Sequence, residues 1–201
     1  MERNEKRDRF VSENQPKSKA GTYFLIGILG VAILTVGAFF ALRKPDAPAW
    51  AVNVGTTSYA GKTLQMTKIP VDISGGKVSV NLDDIKNKKM VTFEVPGVNF
   101  NLDNGTPFDY LPLLAYVSPK GNVVVATSLC EPCSGITFSI SNDTLVCNTC
   151  GTTWELEGLK GIQGGCPQYP PEIVEYKAEG GKLVLDEAKL KQWQPRPLGQ
   201  Q

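Results

Sequence analysis

The stretch CEPCSGITFSISNDTLVCNTC, residues 130–150, decides both the expected fold and the expected chemistry of this chain. Apolar and polar residues alternate on both sides of a Ser-Asn-Asp turn in its middle, and this pattern predicts a β-hairpin. A Cys-x-x-Cys pair stands at each end, so four of the chain's five cysteines lie here. Because a hairpin brings its ends together, we expect four sulfurs at its base: Cys130, Cys133, Cys147 and Cys150.

Two Cys-x-x-Cys pairs this close together favour a metal site. Two residues between thiols let a tight turn direct both sulfurs at one ion. The interval of thirteen residues between the pairs is slightly shorter than the roughly 15–20 typical of structural zinc. Iron bound by four thiolates gives a similar pattern, so zinc and iron both remain open. Gly135 and Gly151 follow the pairs, and we expect them to take positive φ and direct N–H groups at bound sulfur.

The chain contains no histidine, and this absence excludes many chemistries. It removes Ser-His-Asp and Cys-His catalysis, the usual three-ligand catalytic zinc sites and zinc fingers with histidine ligands. Blue copper, c-type haem attachment and Rieske ligation also require histidine. Few common catalytic chemistries therefore remain.

A long uncharged segment near the start predicts a membrane anchor. Residues 20–42 hold no charged residue, and about 20 apolar helical residues span a bilayer core. A cleaved signal would have a shorter apolar region, of about 7–15 residues. Six basic residues precede the span and two follow it directly. We therefore expect a single-pass protein of the cell membrane, with its N-terminus in the cytoplasm and its C-terminal domain outside.

The chain accordingly divides into four expected parts. Residues 1–19 read as a disordered cytoplasmic tail, because they mix charges with few apolar residues. The transmembrane helix, 20–42, contacts the lipid bilayer and leads into a spacer at 43–60. Residues 61–201 form a β-rich domain. After residue 44 the chain has sixteen acidic and thirteen basic residues, and no basic patch indicates a nucleic acid partner.

Period-two patterns make the outer domain mainly β. A helical turn is expected after Asp83, an extended loop or loose hairpin between residues 96 and 122, and a short helix after Asp186. A second hairpin should turn at Gly180 and Gly181. The strands expected most clearly are residues 77–82, 91–95 and 122–127.

Disulfides are the competing interpretation of the cysteines, because an extracytoplasmic domain meets an oxidising environment. The count of five is odd, and a disulfide within Cys-x-x-Cys is usually redox-active instead of structural. A thiol oxidoreductase would carry one such pair near a βαβ pattern, which this sequence lacks. Metal binding is therefore the preferred interpretation.

The segments VVVATSLCEPCSG (123–135) and LVCNTCGTTWELEGLKGIQGGCPQYP (145–170) resemble the membrane iron-sulfur containing proteins called FtrD-like. The shared pattern is two Cys-x-x-Cys pairs followed by Gly-Gly-Cys-Pro, and the resemblance extends over residues 68–193. It implies an iron-sulfur cluster on a membrane protein, associated with ferrous iron uptake or extracytoplasmic electron transfer. Cys166 joins the other four cysteines as a candidate ligand of the cluster or metal.

The cysteine pattern and the resemblance together suggest three functions, and we expect an electron carrier or a transport accessory more than a stand-alone enzyme. The first is a membrane-anchored iron-sulfur protein that passes electrons outside the membrane, with membrane redox or iron-transport components as partners. The second is a structural zinc module that presents an interaction surface, and the third is metal handover to a transporter. Glu131, Glu155 and Glu157 are expected to be exposed acids near the site, as solvated surface or as a means to orient a cationic partner.

Overall fold

The computed structural model describes residues 51–199, which lie within one compact unit. The predicted tail at 1–19, the predicted span at 20–42 and the first part of the predicted spacer lie outside the described residues. Within the described part, no helix has the length and apolar character needed to cross a membrane.

The described residues are mainly β, as the sequence predicts. In chain order the elements are β1 (Thr63–Gln65), β2 (Thr67–Lys68), β3 (Asp72–Ser74), β4 (Lys77–Asn81), α1 (Leu82–Lys88), β5 (Met90–Asn101), β6 (Pro107–Val117), β7 (Val123–Thr127), a 3-10 helix (Glu131–Cys133), β8 (Phe138–Ser141), β9 (Thr144–Cys147), β10 (Thr153–Glu155), β11 (Gly161–Gln163), β12 (Lys177–Glu179), β13 (Lys182–Asp186) and α2 (Glu187–Lys191).

These strands form three sheets. The site sheet has the strand order β1-β8-β9-β10-β11, the central sheet β2-β5-β6-β7 and the outer sheet β12-β13-β4-β3. All pairings are antiparallel except that of β2 with β5.

The central sheet is buried on both faces at β7 and along the second part of β6. Alternate residues of β6 enter two separate cores: Leu113 lies in the core shared with the outer sheet, and Leu114 lies in the core shared with the site sheet. Successive side chains of a strand point to opposite faces, so a strand between two layers must be apolar throughout. This explains why all five residues of β7 are buried. The metal-site cysteines Cys130 and Cys147 belong to the second of these cores.

The local predictions have mixed outcomes. The hairpin of β8 and β9, the hairpin of β12 and β13, and the helix α2 capped by Asp186 are all confirmed. Of the two alternatives for residues 96–122, the loose hairpin is confirmed and the extended loop is wrong, because β5 and β6 form an antiparallel hairpin that turns between Asn101 and Pro107. The Pro96-Gly97 turn signal instead marks a shift in register within β5, where Gly97 has a φ of 75°. A bulge absorbs the irregular residues there, and pairing resumes beyond it.

Candidate metal centre

The β8-β9 hairpin positions half of the cysteine cluster. Phe138 lies opposite Cys147 and Ser141 lies opposite Thr144, so Cys147 stands at the open end of the hairpin. The two turn residues, Asn142 and Asp143, have φ values of 47° and 61°. Two consecutive positive φ values are typical of the tight turns that match strand twist, and Asn and Asp tolerate them.

The first ligand turn comprises residues 130–135 and is built around the 3-10 helix. Cys130 N–H donates to Gly135 O at 2.8 Å, and Cys133 N–H donates to Cys130 O at 3.2 Å. Ser134 ends the helix with a φ of 55°, a left-handed conformation that is costly for a residue other than glycine. The turn directs both of its sulfurs toward the end of the hairpin.

The second ligand turn comprises residues 147–152 and is closed by its own backbone. Gly151 N–H donates to Cys147 O at 2.9 Å, and Cys147 N–H donates to Thr152 O at 2.9 Å. Gly151 has a φ of 71°, as the sequence predicts for a glycine in this position. Cys150 Sγ lies 3.2 Å from Thr152 Oγ1. The turn is thus a direct continuation of the β8-β9 hairpin into β10.

The two turns bring four sulfurs together. The Sγ atoms of Cys130, Cys133, Cys147 and Cys150 all lie within 4.8 Å of one another. Two of the separations join one sulfur from each turn, 3.7 Å between Cys133 and Cys147 and 4.0 Å between Cys130 and Cys150. Four thiolates bound tetrahedrally at about 2.3 Å would lie about 3.8 Å apart. The separations therefore suit metal coordination, and all five cysteines are free thiols.

Cys166 lies beside this group and not within it. Its Sγ is 3.9 Å from Cys150 Sγ, but the four mutually close sulfurs do not include it. Its backbone N–H donates to Thr152 Oγ1 at 3.1 Å. Burial raises the pKa of the Cys166 thiol. The fifth candidate ligand is thus adjacent to one ligand of the cluster.

A comparison with protein families finds one that matches the part of the chain containing this site. The family described as membrane iron-sulfur containing protein FtrD-like matches residues 99–196. Residues 99–196 are thus similar to the FtrD-like family. The match confirms the resemblance predicted from the sequence, although it begins at residue 99 instead of 68 and covers slightly less than half of the chain. It contains both ligand turns and all five cysteines.

Other comparisons add less. No curated protein matches the chain. A chain in the solved complex of reduced oxygenase and oxidized ferredoxin in carbazole 1,9a-dioxygenase is similar at 15% identity, with a TM-score of 0.36. That likeness covers 57% of this chain and 95% of the other.

Two glycines in the FtrD-like segment permit close packing around the sulfurs. A Cβ at Gly135 would lie 2.8 Å from Cys147 Sγ and 2.7 Å from Thr149 Oγ1. The prediction that Gly135 has a positive φ is wrong, because the structure needs its small size and not its backbone freedom. A Cβ at Gly164 would lie 2.5 Å from the Thr152 Cα. Both glycines therefore let a second segment approach a ligand turn.

The thiols of the two ligand turns differ in acidity. A hydrogen bond with Cys147, together with burial, raises the pKa of the Cys130 thiol, and burial raises that of Cys133 to about 12. The hydrogen bond from Cys130 lowers the pKa of Cys147 to about 5. Burial opposes ionisation of Cys150, but hydrogen bonds from the Thr152 side chain and backbone outweigh it and lower its pKa. The second turn is therefore the more anionic one.

The expectation that Glu131 is an exposed acid is wrong. Glu131 is 5% exposed and forms a paired contact with Arg196. Glu155 is exposed as expected, and Glu157 is partly buried and accepts a hydrogen bond from Lys120 N–H at 2.7 Å. The local sequence around Glu131 does not indicate its partner. The one available signal is that Arg196 is the only arginine after residue 43.

Proposed function

We propose that this protein is a membrane-anchored iron-sulfur protein that transfers electrons outside the cytoplasmic membrane, with a link to iron uptake. Its partners are a membrane redox or iron-transport component and an extracytoplasmic acceptor. One observation carries the proposal: four free thiols within 4.8 Å of one another lie in an FtrD-like segment. The family is described as membrane iron-sulfur proteins, and a set of four thiolates suits iron-sulfur ligation.

The chain's own residues supply binding, burial and access. Cys130, Cys133, Cys147 and Cys150 hold the centre, which when bound supplies one-electron chemistry. Cys130 and Cys147 are buried, whereas Cys150 is exposed. The second core thus covers one side of the site and keeps water from it. The Cys150 side is the one a redox partner can approach.

A structural zinc module is the second candidate function. The sulfur separations of 3.7 and 4.0 Å match the edge of a tetrahedron around a single ion with bonds of about 2.3 Å. Zinc in such a closed site adds folding stability and carries no redox chemistry. Metal handover is a third candidate, supported by the fifth thiol, Cys166, 3.9 Å from Cys150.

Metal and sulfide content decide between these candidates. We would purify the full chain anaerobically in detergent and quantify iron, zinc and acid-labile sulfide in the same sample, with electron paramagnetic resonance of the reduced protein. The proposed function predicts iron and sulfide together, with a signal that appears or changes on reduction. Stoichiometric zinc without sulfide would establish the structural module instead. Iron that chelators remove readily, without sulfide, would favour metal handover.

A further inference from the structure

An ion pair with a buried carboxylate joins the first ligand turn to Arg196, 65 positions later in the chain. Arg196 Nε donates to Glu131 Oε1 at 2.8 Å, and Arg196 Nη2 donates to Glu131 Oε2 at 2.7 Å. The side chain of Glu131 is 3% exposed and that of Arg196 is 34% exposed. Glu131 directly follows the ligand Cys130 in the chain. The guanidinium therefore holds a residue located between two candidate ligands.

The same guanidinium also contacts the segment that follows Cys166. Arg196 Nη2 donates to Pro170 O at 2.6 Å, and the guanidinium carbon lies 5.7 Å from the centre of the Tyr169 ring. Tyr169 N–H in turn donates to Cys166 O at 3.0 Å. Arg196 thus connects the first ligand turn with the segment carrying the fifth cysteine.

The residues after Arg196 are themselves fixed to the domain. Leu198 N–H donates to an oxygen of the Asp103 carboxylate at 2.9 Å, and Gly199 N–H donates to Tyr169 Oη at 2.7 Å. These contacts attach the chain just after Arg196 to two separate segments of the domain. The guanidinium is therefore held in place by its surroundings as well as by Glu131.

The first ligand turn contains a weakly bonded helix end that such an anchor can support. The hydrogen bond that ends its 3-10 helix, from Ser134 N–H to Glu131 O, is long, at 3.4 Å, and Ser134 is in the left-handed region. A carboxylate buried this deeply is unfavourable without a paired cation. Arginine can satisfy both carboxylate oxygens at once, which lysine cannot do.

We propose that Arg196 is a positioning residue of the metal centre. Through Glu131 it keeps Cys130 and Cys133 at coordinating distance from the sulfurs of the second turn, and its charge balances that of Glu131 beside the thiolates. The positioning role applies to any bound metal. Only the effect on reduction potential rests on the proposed electron-transfer function.

Metal release tests the positioning role. The variants are Arg196→Gln, Arg196→Lys, Glu131→Gln and the double variant Glu131→Gln/Arg196→Gln, each as the full chain with its natural metal. Lys68→Gln is the matched control, because it removes a cation from the exposed ion pair of Lys68 with Glu94. We would measure the rate at which a chelator removes the metal. Circular dichroism would check that each variant is folded.

Arg196→Gln should release metal about 10-fold faster or more, which is the scale of changes in residues that orient metal ligands. Arg196→Lys should fall between this variant and the wild type. Lys68→Gln should release metal at the wild-type rate. The double variant leaves no unpaired charge, so it serves as the decisive sample if Arg196→Gln does not fold. Wild-type release rates in Arg196→Gln, or in a folded double variant if the single one is unfolded, would overturn the proposal.

Reduction potential tests the charge balance separately, in the iron-loaded protein. Arg196→Gln leaves an extra negative charge near the centre and should lower the potential, whereas Glu131→Gln should raise it. The double variant should return toward the wild-type value. A general loosening of the structure would move both single variants in the same direction, and that result would overturn the charge role. A protein loaded only with zinc would end the electron-transfer function, but the release rates would still decide the positioning role.

Discussion

The two ligand turns have the same Cys-x-x-Cys pattern but are supported in different ways. The second turn continues from the β8-β9 hairpin and is closed by its own backbone hydrogen bonds between Cys147 and Thr152. The first turn has a 3-10 helix, a residue in the left-handed region at Ser134 and a carboxylate at Glu131 whose partner lies 65 positions away. Equal spacing of cysteines therefore does not imply equal rigidity.

The two turns also differ in the acidity of their thiols. The second turn is closed by local backbone hydrogen bonds, and its thiols have lowered pKa values. The first turn depends on long-range contacts, and the pKa values of its thiols are raised. Thiolate and not thiol is the form that binds metal. In the metal-free protein the sulfurs of the second turn are therefore the more ionised ones.

The largest expected effect comes from removing one sulfur from each turn. Cys133→Ser and Cys147→Ser each remove one of two sulfurs that lie 3.7 Å apart, so each variant should lose nearly all of its stoichiometric metal. Metal content of the purified variants, measured by mass spectrometry, provides the test. Cys166→Ser is the matched control, since it makes the same chemical change outside the group of four, and it should keep its metal. Full metal content in either ligand variant would contradict the four-sulfur site.

A smaller effect is expected from filling the space between the turns. In Gly135→Ala the new methyl group would meet Cys147 Sγ at 2.8 Å, so the turns must move apart and metal affinity should fall by about 10-fold or more. Competition with a chelator measures this affinity. Gly165→Ala is the control, because a Cβ there meets nothing within 4 Å. Equal affinities in the two variants would show that the turns can separate without loss.

Local sequence patterns predict the second turn well. Alternating apolar residues and the Ser-Asn-Asp turn are enough to predict the hairpin, because its contacts lie between residues close in the chain. Hairpin closure then explains why four separated cysteines meet. The positive φ of Gly151 follows from the same local reasoning, since a tight turn after Cys150 requires it.

The first turn exposes the limits of such patterns. Glu131 looks like a surface acid, because the residue that buries it belongs to a distant segment without periodic structure. Gly135 must be small because Cys147 Sγ approaches it from β9. Cys147 lies twelve positions later in the chain, so the residues next to Gly135 do not reveal this contact. The Pro96-Gly97 pair has the residues of a turn but forms a bulge, because pairing of β5 with β6 continues on both sides of it.

The smallest expected effect concerns thiol reactivity in the reduced, metal-free protein. Cys150 is exposed and has a lowered pKa, so it should react with iodoacetamide first at pH 7. Cys130 is buried and has a raised pKa, so it should react last. Peptide mass spectrometry over time gives the order of labelling. Faster labelling of Cys130 than of Cys150 would contradict the difference in thiol exposure and acidity between the two turns.

The pH dependence of labelling sharpens the same comparison. Because the pKa of Cys147 is lowered to about 5, its thiolate is present at neutral pH and is lost as the pH falls through 5. The pKa of Cys133 is raised to about 12, so its thiolate fraction, and with it the labelling rate, should increase as the pH rises toward 12. Each rate is compared with that of the same cysteine in urea, where both should titrate near the ordinary thiol pKa of about 8.5. Similar pH profiles for the two cysteines in the folded protein would show that burial of Cys133 and hydrogen bonding of Cys147 do not separate their thiol pKa values.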